Sequence, residues 1–172
     1  MNPIPDTVDL LTSDHDTIGR MFDAFKLLGE QAACDSERSA MLAHICLAIS
    51  IHVQVESELF FPAVRSATGD HALMDRAEAA QLVMKDLVAE LMAIDPQSPH
   101  HDGKVTELSV AMARHAEQQE GDIFPKARAA GLDQVTLKTQ MEERQRQLRT
   151  EQATMQDRLA QEDEAGDPVG HQ

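Results

Sequence analysis

His52-Val-Gln-Val-Glu56-Ser-Glu-Leu-Phe-Phe61-Pro62 and His115-Ala-Glu-Gln-Gln119-Glu120-Gly-Asp-Ile-Phe124-Pro125 are one motif written twice. Each copy has a His, a Phe-Pro pair nine and ten positions later, and an Arg (Arg65, Arg128) three beyond the Pro. The apolar residues upstream recur at steps of three and four, Leu42, Ile45 and Ile49 before His52, and Val105, Leu108 and Met112 before His115. That period places both motifs on helices, each His on the buried stripe. Residues four apart share a face, so Glu56 stacks beside His52, whereas the second copy places a neutral amide, Gln119, beside His115.

The same period predicts two more helices. Leu11, His15, Ile18, Phe22 and Phe25 form the inward stripe of a first helix that starts near Asp6 or Thr7. Ala77, Gln81, Met84, Val88 and Leu91 form that of a third, from about His71 to Ile94, which stops before Asp95-Pro96. The second helix runs from about Ser36 to just past Pro62, with Leu59 continuing its stripe. The fourth runs from about Lys104 to Ala129, and Gly131 ends it. Gln97 to Gly103 reads as a polar loop with solvated His100 and His101. Each half of the chain is thus a helix with one inward polar residue followed by a helix with the His-Phe-Pro motif. Two such halves joined by short connections predict an all-α, up-down-up-down four-helix bundle over residues 1–130. From Asp133 to about Glu164 the chain turns rich in Gln, Glu and Arg, with Met141, Leu148, Met155 and Leu159 as a thin apolar seam. Residues 131–164 are expected to form one long amphipathic helix that lies along the bundle or pairs with a second copy as a homodimer, and 165–172 a disordered tail.

Composition agrees with helices: aromatics are 3% of the chain, with no Trp or Tyr, so aliphatic residues, Met and Ala must fill the core. A net charge of -15 sets the chain against nucleic acid and against anionic membrane surfaces as partners. The apolar runs look too short and too interrupted to span a bilayer, and the N-terminus lacks a signal core, so a cytoplasmic location is expected. Cys34 and Cys46 are then free thiols, and neither is assigned a role.

Three inward histidines, His15, His52 and His115, and the inward Glu56 come from three helices at compatible depth. Burying that many titratable groups costs several kcal/mol unless something satisfies them together. A metal ion does so, and inward Glu and His side chains on facing helices are how bundles build metal sites. Met84 and Met112 are expected to be core filler, His44 structural and His71 on the surface. The prolines of both Phe-Pro pairs should kink their helices, and the Phe side chains close one end of the core.

Ile45 to Pro62, the opening Leu10-Leu-Thr-Ser-Asp14-His15, and His115 to Pro125 together resemble the bacterial hemerythrin-like, or HHE cation-binding, domain over about residues 8 to 130. The resemblance implies a four-helix bundle with a non-haem di-iron centre, used for oxygen binding, for iron or redox sensing, and for defence against peroxide or nitric oxide. It assigns His15 as the first-helix ligand, His52 and Glu56 as the second-helix pair and His115 as the fourth-helix histidine. The family's third-helix His falls on Gln81 and its fourth-helix Glu on Gln119. Two adjacent iron ions need anionic bridges, and Gln119 supplies little of that charge, while Gln81 removes a nitrogen donor. The second ion position is therefore expected to be weak or empty. Glu120, five after His115, is the one acid placed to substitute for Gln119, as the bridging Asp of invertebrate hemerythrins does. On an ideal helix it points about 140° from the His and must reach round.

Three functional expectations follow. In the first, His15, His52, Glu56 and His115 hold one ion, iron in the first instance and zinc or manganese otherwise, in a protein that binds or senses in iron, oxygen or redox homeostasis. In the second, Glu120 restores a di-iron centre that turns over peroxide or nitric oxide, with O2 or another small diatomic as related ligands. In the third, the site has decayed and the bundle is a metal-free scaffold.

Overall fold

The computed structural model describes residues 5–30 and 35–165. Among the described residues there are seven α-helices: α1 (Thr7–Glu30), α2 (Asp35–Val55), α3 (Phe61–Thr68), α4 (His71–Ala93), α5 (His101–Gln118), α6 (Phe124–Ala129) and α7 (Gln134–Ala165). Two five-residue π-helical segments, Glu56–Phe60 and Gln119–Ile123, join α2 to α3 and α5 to α6. Each joined pair is one continuous rod, so the molecule is a four-helix bundle with α7 added. Helices α1, α2, α4 and α5 close the ring, each against two neighbours, and α7 lies against α1, α2 and the first π segment. Cys34 and the predicted tail from 166 on lie outside the described residues.

Local chemistry sets the ends. Asp6 accepts from the Asp9 amide at 3.0 Å while Asp9 accepts from the Asp6 amide at 2.9 Å, a reciprocal cap that starts α1. Asp70 caps α4 through the Leu73 amide, and Asp133 caps α7 through the Thr136 amide. Gly69 and Gly131, which follow α3 and α6, adopt positive φ of 66° and 72°, a conformation that disfavours a side chain. Helix α5 begins at His101, earlier than its apolar period suggests. His101 is correspondingly buried in the first turn against Asp102, whereas His100 is exposed.

The prolines act differently from the kink expected of them. Pro62 and Pro125 each sit in the first turn of a helix that follows a π segment. A proline deep in an α-helix lacks a donor and clashes with the carbonyl four residues back. The wider π turn removes that conflict: Phe61 N–H bonds the Glu56 carbonyl and Phe124 N–H that of Gln119, five residues back in each case. The insertion also shifts the inward phase by one residue, so Phe60 is fully buried and Leu59 only half-buried. The repeated arginines clamp neighbouring rods. Arg65 pairs with Asp75 and Glu78 of α4, and Arg128 with Asp6 and Asp9 at the start of α1.

Two apolar cores fill the bundle. One gathers Val8, Leu11, Val55, Phe60, Phe61, Met74, Ala77, Ile123 and Phe124. The other gathers Ile18, Phe22, Ile45, Ile49, Met84, Leu87, Leu108 and Met112. Between them, at one depth, lie the buried polar residues His15, His52, Glu56, Gln81, His115 and Gln119. Met84 and Met112 are core, as expected.

Within the 34-residue run Asp35–Thr68 one 18-residue window has a mean hydropathy of 1.4, long and apolar enough on composition to cross a membrane, against the expectation from its interrupted sequence. Half of that window is buried inside the bundle, as befits its central rod, which carries His52 and Glu56. The seam of α7 divides: Leu137, Met141 and Leu148 are buried on the bundle, whereas Met155 and Leu159 are exposed. Met141→Ala should therefore cost about 2–5 kcal/mol in urea unfolding, the range for a fully buried Met truncation. Leu159→Ala should stay within about 0.5 kcal/mol of the parent.

Candidate metal centre

His15 descends from α1, His52 from α2, Glu56 from the first residue of the first π segment, and His115 from α5. All four are buried, Glu56 completely. One donor atom from each lies within 4.8 Å of the other three. The imidazoles form a triangle with centroid separations of 5.0, 5.4 and 5.6 Å. His52 Nε2 lies 3.3 Å from Glu56 Oε1 and 3.3 Å from His115 Nε2. His115 Nε2 lies 3.2 Å from Glu56 Oε2. The spacing predicted from sequence is thus realised for these four residues.

The opposite ring nitrogens of His15 and His52 face outer carboxylates, that of His15 in a hydrogen bond and that of His52 without one. His15 Nδ1 lies 2.8 Å from Glu120 Oε1, and His52 Nδ1 faces Asp14 Oδ2 at 3.5 Å. A ring whose Nδ1–H points at a carboxylate presents its Nε2 lone pair on the other side. His15 Nε2 is buried with no hydrogen-bond partner and is free to do so. Phe124 stacks on the His15 ring at 5.9 Å, nearly parallel, so the second Phe-Pro pair fixes the plane of that imidazole as well as closing the core. Asp14 carries this role without having been singled out. The signal was available as an acid directly before His15.

Electrostatics bind the cluster. Burial alone would raise the Glu56 carboxyl, but His52, His115 and His15 around it hold it at about 2. Burial disfavours the charged form of His52, yet Glu56 and Asp14 outweigh it and raise its pKa. At His15 burial and the neighbouring His52 win, and the pKa falls. A carboxyl lowered in the folded state adds stability above its unfolded value of 4.5 and loses it as pH falls towards 2. The metal-free protein should therefore lose stability progressively from about pH 4.5 down to 2. Glu56→Gln should flatten that limb in pH-dependent urea titrations.

The two glutamines lie where the repeat places them, and they explain the asymmetry. Gln81 Nε2 donates to Glu56 Oε2 at 2.7 Å. Its Oε1 lies 2.7 Å from Ser57 Oγ, whose one proton serves this oxygen and the Val53 carbonyl at 2.8 Å. That carboxylate oxygen of Glu56 thus already carries an N–H. Gln119 is fully buried, and neither of its polar side-chain atoms has a protein partner. Neutral at both positions, this half offers no anionic ligand from the interior. Glu120 stands at the rim, its side chain 44% exposed, bonded to His15 and outside the four-donor group.

The donor set fits one cation. Three imidazole nitrogens and one carboxylate suit iron or zinc, and His15 Nε2 and Glu56 Oε1 are buried atoms that a cation would satisfy. Cys46 is buried, its thiol pushed up to about 11, and is inert.

Known proteins share this architecture. The chain resembles the crystal structure of a Hemerythrin HHE cation binding domain-containing protein from Mycobacterium kansasii, a homolog of Rv2633c, with a TM-score of 0.72 and 20% identity over 86% of this chain and 90% of that one. An uncharacterized protein of Mycobacterium tuberculosis is 26% identical over 98 residues, 57% of this chain and 59% of the relative. A protein named DNA nickase from Nostoc sp. is 24% identical over 116 residues, 67% of this chain and 32% of the relative. The chain thus spans less than two thirds of the length of these curated relatives. The family described as Hemerythrin HHE cation binding domain matches residues 6–127, well over half of the sequence. With that match around a layer of buried His and Glu between two apolar cores, the chain belongs to the hemerythrin HHE cation-binding family.

Proposed function

We propose that this protein binds a single metal ion through His15, His52, Glu56 and His115, and serves as a binding or sensing protein in iron, oxygen or redox homeostasis. The observation that carries the reading is the convergence of four buried donors from three rods within 4.8 Å, beside a half-site closed by Gln81. Iron is the ion in the first instance, with zinc or manganese as alternatives for the same donors. Bound iron would supply a changeable oxidation state and an open position for O2, another diatomic or peroxide.

The chain's own residues do the rest. Glu120 and Asp14 orient two imidazoles, Phe124 holds the His15 plane, and the flanking cores exclude water. The rim position of Glu120 supports a role as an orienting acid and gateway, and it favours binding over the di-iron enzyme reading. The net charge of -15 speaks against nucleic acid as partner, and the buried polar layer of α2 against a membrane span. A cytoplasmic location agrees with the free buried thiol.

Chelation tests the reading. An ion at 1,000 times its dissociation constant stabilises the fold by about 4 kcal/mol. For a chain of this size that is about 8–16 °C in melting temperature. Stripping the metal should lower the melting temperature by that order, and adding it back should restore it. An unchanged melting temperature would favour the metal-free scaffold.

A further inference from the structure

Gln145 interrupts the buried seam of α7 between Met141 and Leu148 and is itself nine-tenths buried. Its Nε2 donates to Asp14 Oδ2 at 2.7 Å. The same oxygen faces His52 Nδ1 at 3.5 Å, and the far nitrogen of that ring reaches Glu56. A line of contacts therefore runs from α7 through α1 to α2 and ends at the candidate metal centre. Its outermost member comes from a segment beyond the family match, which stops at residue 127.

We propose that Gln145 is a positioning residue for the metal centre, so that docking of α7 and occupancy by the ion are linked. The inference rests on the single-ion reading above. A carboxylate orients a ligating His only while its own direction is fixed, and such outer partners typically set about 10- to 100-fold in metal affinity. The Asp14 side chain is 22% exposed and has water as an alternative partner. The Gln145 amide holds one of its oxygens toward His52. A cavity of about 240 Å³ lies alongside, lined by Asp14, His52, His44, Gln145 and Arg149 among others, so α7 also walls the outer side of His52. Leu137, Met141 and Leu148 dock the helix, and Gln145 makes that docking matter to the site. Linkage is reciprocal: whatever α7 docking adds to ion affinity, the ion adds to α7 docking.

The test is zinc titration of the full-length chain against a chromophoric chelator, with amide hydrogen exchange read over α7. Gln145→Ala should weaken zinc binding about tenfold. Gln145→Met, which keeps the seam filled but removes the donor, should do the same with α7 still docked. Asp14→Asn should weaken it as well, and Asp14→Asn with Gln145→Ala should be no weaker than Asp14→Asn alone, because Gln145 acts through Asp14. Zinc should slow exchange in α7 of the parent and not of Gln145→Met. Parental affinity in both Gln145 variants, or full additivity with Asp14→Asn, would overturn the proposal while leaving the single-ion reading intact. A parent chain that binds no zinc or iron would overturn both.

Discussion

Glu56→Ala is expected to abolish metal binding and to destabilise the metal-free protein by about 3–5 kcal/mol, the range for removing one partner of a buried ion pair. Glu56 is the carboxylate of the four-donor group, it is fully buried, and three imidazoles surround it. It is also the largest favourable influence on the charge of His52, a buried ring whose other acidic neighbour is Asp14 at 3.5 Å. Metal analysis and urea unfolding of the variant would check both effects. His44→Ala is the control, an exposed residue of α2 in the same rod and outside the cluster. A Glu56→Ala protein that kept its metal would remove Glu56 from the site.

Gln81→His with Gln119→Glu is expected to raise the metal content from one ion per chain to two. The double substitution returns a nitrogen donor and an anionic bridge to the depleted half. It also removes the amide that now bonds Glu56 Oε2, freeing that oxygen. Gln119 is fully buried and already presents two unpartnered polar atoms, so a carboxylate of nearly the same shape can occupy its place. With iron the variant should acquire the spectrum of a bridged pair. A folded variant that still bound one ion would show that the asymmetry has another cause than these two residues.

The bundle was legible in the sequence because its inward stripes are periodic. The predicted inward residues of the first and fourth helices, from Leu11 to Phe25 and from Val105 to Gln119, are all buried. So are His15, His52, Glu56 and His115, since a polar residue on an apolar stripe is visible in one dimension. What escaped depends on backbone details that periodicity averages away. A π segment changes the phase within a rod, which is why Leu59 was expected inside and Phe60 took the place. The outer partners escaped for another reason. Asp14 acts across helices, and Gln145 stands more than 90 positions from His52 in sequence. Gln145 nonetheless obeys the rule that singled out the buried His and Glu, for it too is a polar residue between apolar seam positions.

Glu120 is the acid that the sequence offers as a substitute for Gln119. Its position five after His115 placed it on the flank, and in the structure it reaches round to the outer nitrogen of His15. An acid so placed orients the His15 ring. We propose that it does not supply the missing bridge, and that an exposed carboxylate at the rim leaves one filled position behind it.

Metal stoichiometry tests the central claim most directly. The full-length chain, stripped, reloaded anaerobically with excess ferrous iron and freed of unbound ion, should retain one iron per chain by elemental analysis and lack a bridged di-iron spectrum. Two irons per chain with that spectrum would contradict the asymmetric site, and none would contradict the metal centre itself.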